Sequence, residues 1–312
     1  MNLKQSTKAA LQASIGTCMW GVGGVCSNII FNTSKATPMW IVSMRLTWAG
    51  LLMLLFAAIT KRPLLRVWRD PRRAVRLVLF GMIGVFAAQL TYMFAIFYGN
   101  AAVATIMLSL VPGLITIVTS VRTRTAPRPI DTLAILLALF GVFLLVTNGN
   151  PGKLHVAPLA IFWGLIAAAT GAAYTLLPRP LLRTESPLVI VGWGLLVGSL
   201  AANLMTPFWH APKLPQFDWL AVAFVVLGAT LLAYILYVSS LRTLRPAIAG
   251  MIGNFEPLTA TILSVLFLNL GFHPLQMAGI GLVLGAVFMM SWQPRSKRQP
   301  IGARKHAKGV KS

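Results

Sequence analysis

Apolar runs long enough to cross a bilayer alternate with short polar or basic segments along almost the whole chain. A helix needs about 20 apolar residues to traverse the hydrocarbon core. On that rule the pattern predicts ten transmembrane helices, over 9–31, 38–60, 75–98, 101–121, 131–148, 158–177, 187–207, 217–239, 246–268 and 274–292. Only Gly99 and Asn100 separate the third run from the fourth, so a tight hairpin is predicted there. The first run follows Lys4 and Lys8, as the core of a signal peptide would. It is too long for one and lacks a clear cleavage site, so it reads as the first membrane helix.

Composition points the same way. Of 312 residues, 57% are hydrophobic and 10% charged, with mean hydropathy +0.78; soluble domains are about 25% charged. The net charge of +22 would suit a nucleic-acid binder, but the basic residues fall in short clusters between apolar runs. Cytoplasmic loops have that pattern, and nucleic acid is not an expected partner. With both termini in the cytoplasm, only Lys35, Lys153 and Lys213 of the 27 Lys and Arg lie outside, and only Arg45 lies well inside a span. Missing one span would destroy that asymmetry. The basic tail "RSKRQPIGARKHAKGVKS" can also meet anionic membrane lipids, at about 1 kcal/mol per basic residue near the surface. Cys18 and Cys26 share the first run, which excludes a disulfide framework and, without nearby histidines, offers no metal site.

The fourth and ninth runs align without gaps at a constant offset. "AAVATIMLSLVPGLITIV" (101–118) lies over "PAIAGMIGNFEPLTATIL" (246–263), matching Ala102 to Ala247, Ala104 to Ala249 and Pro112 to Pro257. Upstream the same offset lays Gln89 on Tyr234 and Tyr92 on Tyr237. Proline is costly inside helices, so a shared one is more than composition. Five helices per half is an odd number, which makes the halves face opposite ways across the membrane. The predicted fold is therefore an all-α polytopic membrane protein: two inverted five-helix repeats, 1–150 and 151–293, and a basic cytoplasmic tail, 294–312. Many secondary transporters follow this plan, with substrate near the midplane between interrupted helices.

Of the five acidic residues, Asp70, Asp131, Glu185 and Asp218 fall in loops or at span ends, and only Glu256 lies deep in a span. A carboxylate at that depth costs several kcal/mol if charged and unpaired, so it should face protein or a water-filled cavity. That suits a group that exchanges a proton or binds a cation; the plainer role is a hydrogen bond between helices. Pro257 loosens the turn before it, and Gly250 and Gly253 leave room on its side. Arg45 lies about eight residues into the second span. It either snorkels to the outer headgroups or attracts an anionic group at the outer mouth. Gln89 and Tyr92 share a helix face, as do Tyr234 and Tyr237, and their matched placement favours a cavity lining over an aromatic belt. Trp20 packs or joins the belt if it does not touch ligand. Asn254, two residues before Glu256, should point away from it and bond a neighbouring helix. "GIGLVLG" (279–285) lacks the strand and helix start of a phosphate loop and reads as small residues for close packing. His155, His210 and His273 sit singly in outer loops and carry no assigned role.

Ten runs, "MWGVGG" with Trp20-Gly21, "TPMWIVSMRLTWAG" with Arg45, the A…P of the fourth run and the A…EP of the ninth resemble the EamA branch of the drug/metabolite transporter superfamily. The resemblance covers roughly 9–292 and is strongest to uncharacterised bacterial inner-membrane permeases. It implies a multi-pass carrier in the bacterial inner membrane that moves small molecules, often amino acids or drugs outward, by alternating access. One departure stands out: the family often closes its fourth and ninth spans with a Leu-Gly-Glu-like turn, and "VRTRTAPRP" and "FLNLGFHPLQ" hold no acid. Any role of those acids cannot pass to this chain.

The site expectation is therefore substrate or proton binding by Glu256, Gln89, Tyr92, Tyr234, Tyr237, Arg45 and Trp20, with helix breaks at Pro112, Pro257 and Gly253. No catalytic or metal-binding residue and no cofactor is expected, and no nucleotide-binding G-x-x-x-x-G-K-[ST] occurs. The competing reading is a membrane-embedded enzyme acting on lipid or peptide, which needs convergent polar groups that one acid and no membrane histidine do not supply. Monomer and homodimer are both left open, as are the substrate, its direction and the coupling ion.

Overall fold

Proline sets where most of the helices start. In the computed structural model, which describes residues 3–240, 243–244, 248 and 252–291, Pro38, Pro71, Pro129, Pro158, Pro187 and Pro274 each open a helix, where the missing N–H costs nothing. The helices are α1 (Leu3–Thr33), α2 (Pro38–Ile59), α3 (Pro71–Tyr98), α4 (Ala101–Thr123), α5 (Pro129–Thr147), α6 (Pro158–Leu176), α7 (Pro187–Met205), α8 (Gln216–Tyr237), α9 (Phe255–Leu268) and α10 (Pro274–Ser291). The first eight are long and apolar enough to cross a membrane, whereas α9 and α10 are shorter apolar helices. No strand occurs among the described residues. The expectations for Arg242, Arg245, Ala247, Ala249, Gly250, the start of the ninth run and the 294–312 tail lie outside the described residues.

Side chains and left-handed residues finish the ends. Thr37 accepts from the Trp40 N–H at 3.2 Å, Asp70 from Arg72 at 2.9 Å and Asn100 from Val103 at 2.9 Å, each satisfying an orphan donor. Asn100 thereby closes the predicted hairpin between α3 and α4. Asn148 (φ 49°) ends α5 and Asn269 (φ 51°) ends α9, as asparagine at a C-terminus can.

Three interruptions shape the interior. Residues Phe80–Ala87 of α3 and Phe224–Leu232 of α8 are π-helical. In each, a phenylalanine ring folds over the glycine four residues on. A Cβ on Gly84 would lie 2.8 Å from the Phe80 ring, and one on Gly228 would lie 2.8 Å from the Phe224 ring. The third interruption splits α4 into Ala101–Leu108 and Val111–Thr123, with Pro112 in the first turn of the second piece. Pro257 likewise lies in the first turn of α9, just after Asn254.

Helices meet closely where glycine allows it. A Cβ on Gly21 would lie 2.6 Å from the Glu256 carbonyl oxygen, so α1 runs directly against the start of α9. A Cβ on Gly141 of α5 would lie 2.6 Å from the Gly279 carbonyl of α10. Of the glycines in "GIGLVLG" only Gly279 makes this close contact, because Gly281 and Gly285 face open space among the described residues. At the end of the bundle that holds most of the basic loops, the Glu185 side chain is only 1% exposed and pairs with Arg73 at 3.1 Å and Arg66 at 3.5 Å. The Trp193 indole N–H donates to the Leu64 carbonyl at 2.9 Å. Together these contacts fasten the loop after α2 to the start of α7.

Overpacking a tight contact costs about 1–3 kcal/mol. Gly141→Val should therefore lower the thermal unfolding midpoint of detergent-purified protein, while Leu139→Ala, at an exposed position on the same helix, should leave it unchanged.

Candidate functional site

A cavity of about 760 Å³ opens among α1, α2, α3, α4, α6, α7, α8, α9 and α10. All the residues named from sequence lie on its wall: Trp20, Arg45, Gln89 and Tyr92 from the first half of the chain, and Tyr234, Tyr237 and Glu256 from the second. Pro112, Gly253 and Pro257 line it too, at the two helix breaks. Proline has no N–H, so the carbonyls four residues earlier, those of Leu108 and Gly253, lose their helical donors. Both of those residues also border the cavity.

Part of the wall is an aromatic cluster. The Trp20 ring lies 5.3 Å from Tyr234 and 5.1 Å from Tyr237, and Tyr174 lies 6.3 Å from Tyr234 and 5.4 Å from Phe80. Tyr234 is also within hydrogen-bonding reach of Tyr174 and Gln89. Burial of Tyr92 and Tyr234 rules out a lipid-interface belt for both. Tyr92 sits over Gly24, where a Cβ would come 2.9 Å from its hydroxyl, and that hydroxyl has no hydrogen-bond partner among the described residues.

The charged groups stand apart from one another. Arg45 is 7% exposed and donates through Nε to Thr230 Oγ1 at 2.6 Å. Thr230 in turn donates to the Val225 carbonyl at 2.7 Å, five residues back within the π-helical stretch. Snorkelling to the outer headgroups is thereby overturned: the π turn presents a hydroxyl that holds the guanidinium inside the protein. Glu256 lies in the first turn of α9, where the helix dipole favours an anion. It is half-buried and makes no hydrogen bond or ion pair among the described residues.

Asn254 differs from expectation. It lines the cavity together with Glu256. Opposite faces for residues two apart hold only in a continuous helix, and Asn254 is the turn residue before α9. The expectation of isolated outer-loop histidines is corrected as well, since the His155 and His273 rings are 5.6 Å apart. Tyr174 and Thr230 were missed. Thr230 was visible as a hydroxyl in an apolar run, whereas Tyr174 had no matching residue in the other half to single it out.

The lining continues to Pro178, Leu182 and Pro187 at the end holding Arg179 and Arg183. The other end is closed by Thr33 donating to Asp218 at 2.6 Å, Ser43 donating to the Thr206 carbonyl at 2.6 Å, and Trp40 against Trp219 at 6.1 Å.

Thr230→Val removes the acceptor of a buried charged donor, a loss of about 1.5–3 kcal/mol. Its thermal unfolding midpoint should fall clearly, whereas Thr230→Ser, which keeps the hydroxyl, should hold near the parent value.

The EamA-like transporter family model matches twice, over residues 7–147 and 158–292. An inner membrane transporter of Salmonella typhimurium, YicL, itself uncharacterised, is 31% identical over 93% of this chain and 97% of its own length. The uncharacterised transporter YwfM of Bacillus subtilis is 25% identical over 91% and 94%. A chloroplastic WAT1-related protein of Arabidopsis thaliana is 22% identical over 88% and 67%. A crystal structure sharing 18% identity superimposes with a TM-score of 0.64 over 91% of this chain and 96% of the other, which speaks to the fold alone. With both parts of the sequence matched and relatives aligned end to end, the chain is a polytopic membrane protein that belongs to the EamA-like transporter family.

Proposed function

We propose that the protein is a secondary active transporter that exports small metabolites or drugs across the bacterial inner membrane by alternating access, coupled to protons through Glu256. The observation that carries this reading is the cavity itself. Among the described residues it holds a carboxylate in no ion pair and one guanidinium, beside an aromatic cluster and between two proline-broken helices. Its volume of about 760 Å³ lies in the range of drug-sized sites, roughly 300–1,000 Å³.

Ten spans in two inverted halves fit the twofold family match, with 1–150 and 151–293 as the halves. The π-helical stretches support the same reading, because each opens on a phenylalanine with a glycine four residues on, Phe80 with Gly84 in α3 and Phe224 with Gly228 in α8. Irregular backbone at membrane depth is tolerated where it borders a cavity, and both prolines lie at such a place. With both termini cytoplasmic, the basic end is the inner one and the described conformation is open inward. Substrate enters from the cytoplasm past Pro178, Leu182 and Pro187. Glu256 then binds a proton or a cationic group, and release of the Thr33–Asp218 and Ser43–Thr206 contacts lets the outer end open.

In proteoliposomes loaded with a metabolite extract, the wild-type protein should drive efflux that responds to an imposed proton gradient. Glu256→Gln should lower that flux by about tenfold or more, equivalent to at least 1.4 kcal/mol, while its size-exclusion profile stays monodisperse. Flux at the wild-type rate, with the same response to the gradient, would remove Glu256 from the mechanism.

Orientation has its own measurement. In a background with Cys18 and Cys26 replaced by Ala, a membrane-impermeant thiol reagent applied to intact cells should label Lys153→Cys. It should leave Lys61→Cys unlabelled until the cells are opened; the reverse pattern would invert the topology.

A further inference from the structure

Two histidines meet at the end of the bundle opposite the cavity opening. His155 belongs to the α5–α6 loop and His273 to the α9–α10 loop; their ring centroids are 5.6 Å apart and their planes cross at 76°. Both side chains are exposed. Their backbones share one anchor. The His155 N–H donates to the Val146 carbonyl at 2.8 Å. The His273 N–H donates to Gln276 Oε1 at 3.0 Å, and buried Gln276 donates through Nε2 to the Leu145 carbonyl at 3.0 Å. Leu145 and Val146 are neighbours in the last turn of α5. Two imidazoles from distant parts of the sequence are thus held over a single helix end, with little backbone freedom left to lose on binding.

Imidazole nitrogen suits zinc, nickel and copper rather than the hard ions magnesium and calcium. With metal–nitrogen bonds of about 2.0–2.1 Å, two rings on one ion have centroids roughly 5–6.5 Å apart as the angle at the metal opens from tetrahedral to linear. The observed separation lies inside that interval. No cluster of three or more His, Cys, Asp or Glu exists among the described residues, so water would complete the coordination.

We propose that His155 and His273 form a two-histidine site for one divalent transition-metal ion, Zn²⁺, Ni²⁺ or Cu²⁺. The ion would tie the loop between the two family-matched segments to the start of α10, directly above the seam where Gly141 meets Gly279. This site stands apart from the cavity and from the transport reading.

The test is a Zn²⁺ titration by calorimetry of the full chain, purified in detergent through a tag without histidines. One ion should bind per chain, and Mg²⁺ should give no heat. His155→Ala and His273→Ala should each weaken Zn²⁺ binding roughly tenfold or more, while His210→Ala and His306→Ala leave it unchanged. Zn²⁺ should raise the thermal unfolding midpoint of the parent but not of the His155→Ala/His273→Ala double variant, because an ion stabilises only the state that binds it. Equal midpoints for parent and double variant without metal would show that the variant is folded. Absence of Zn²⁺ binding to the parent, or equal binding by the double variant, would overturn the site.

Discussion

A bilayer offers no water to a backbone group that has lost its partner, and two prolines create such groups deep in this chain. Pro112 cannot donate to the Leu108 carbonyl, and Pro257 cannot donate to that of Gly253. Lipid-facing helices could not absorb the loss. The chain instead turns both breaks inward and surrounds them with α1, α3, α6 and α8, so the cavity and the breaks depend on one another. Gly21 has a place in the same constraint, since only a residue without a side chain lets α1 run against the opening turn of α9.

The two π-helical stretches act on the opposite wall. One extra residue per turn shifts every side chain beyond it relative to a regular helix, and in α8 that shift aims Thr230 at Arg45. The resulting bond holds the Arg45 guanidinium inside the protein, on the same cavity wall as Glu256 but not in an ion pair with it among the described residues. Among the described residues Glu256 is in no ion pair, while Arg45 on the same wall is bonded to Thr230. The Glu185 pairs with Arg66 and Arg73 are of another kind, since they lie at the loop end and hold two segments together.

The apolar runs were readable because the solvent imposes them: crossing helices must be long and greasy, and any exception stands out. For the same reason the polar residues and helix breakers inside those runs were easy to single out, and the ten named as site or break share one cavity. The hairpin at Gly99 and Asn100 was equally visible, as two turn residues between long runs. Other features gave no such signal. A π turn has the composition of an α turn, so neither Phe80–Ala87 nor the Arg45–Thr230 bond could be foreseen. Asn254 was misdirected because a regular helical angle was carried through a break. The histidine pair depends on two loops brought together only by the packing of α5 on α10.

The buried hydroxyl of Tyr92 has a consequence for selectivity. A buried oxygen left without a partner costs about 1–3 kcal/mol, and among the described residues the Tyr92 hydroxyl has none, with only Gly24 beneath it. A molecule that enters the cavity with a donor or acceptor at that point gains a hydrogen bond without displacing one already made. A purely hydrocarbon molecule of the same shape leaves the oxygen as it was. Together with Glu256, Gln89 and Asn254, that hydroxyl makes a polar margin along a mostly apolar lining.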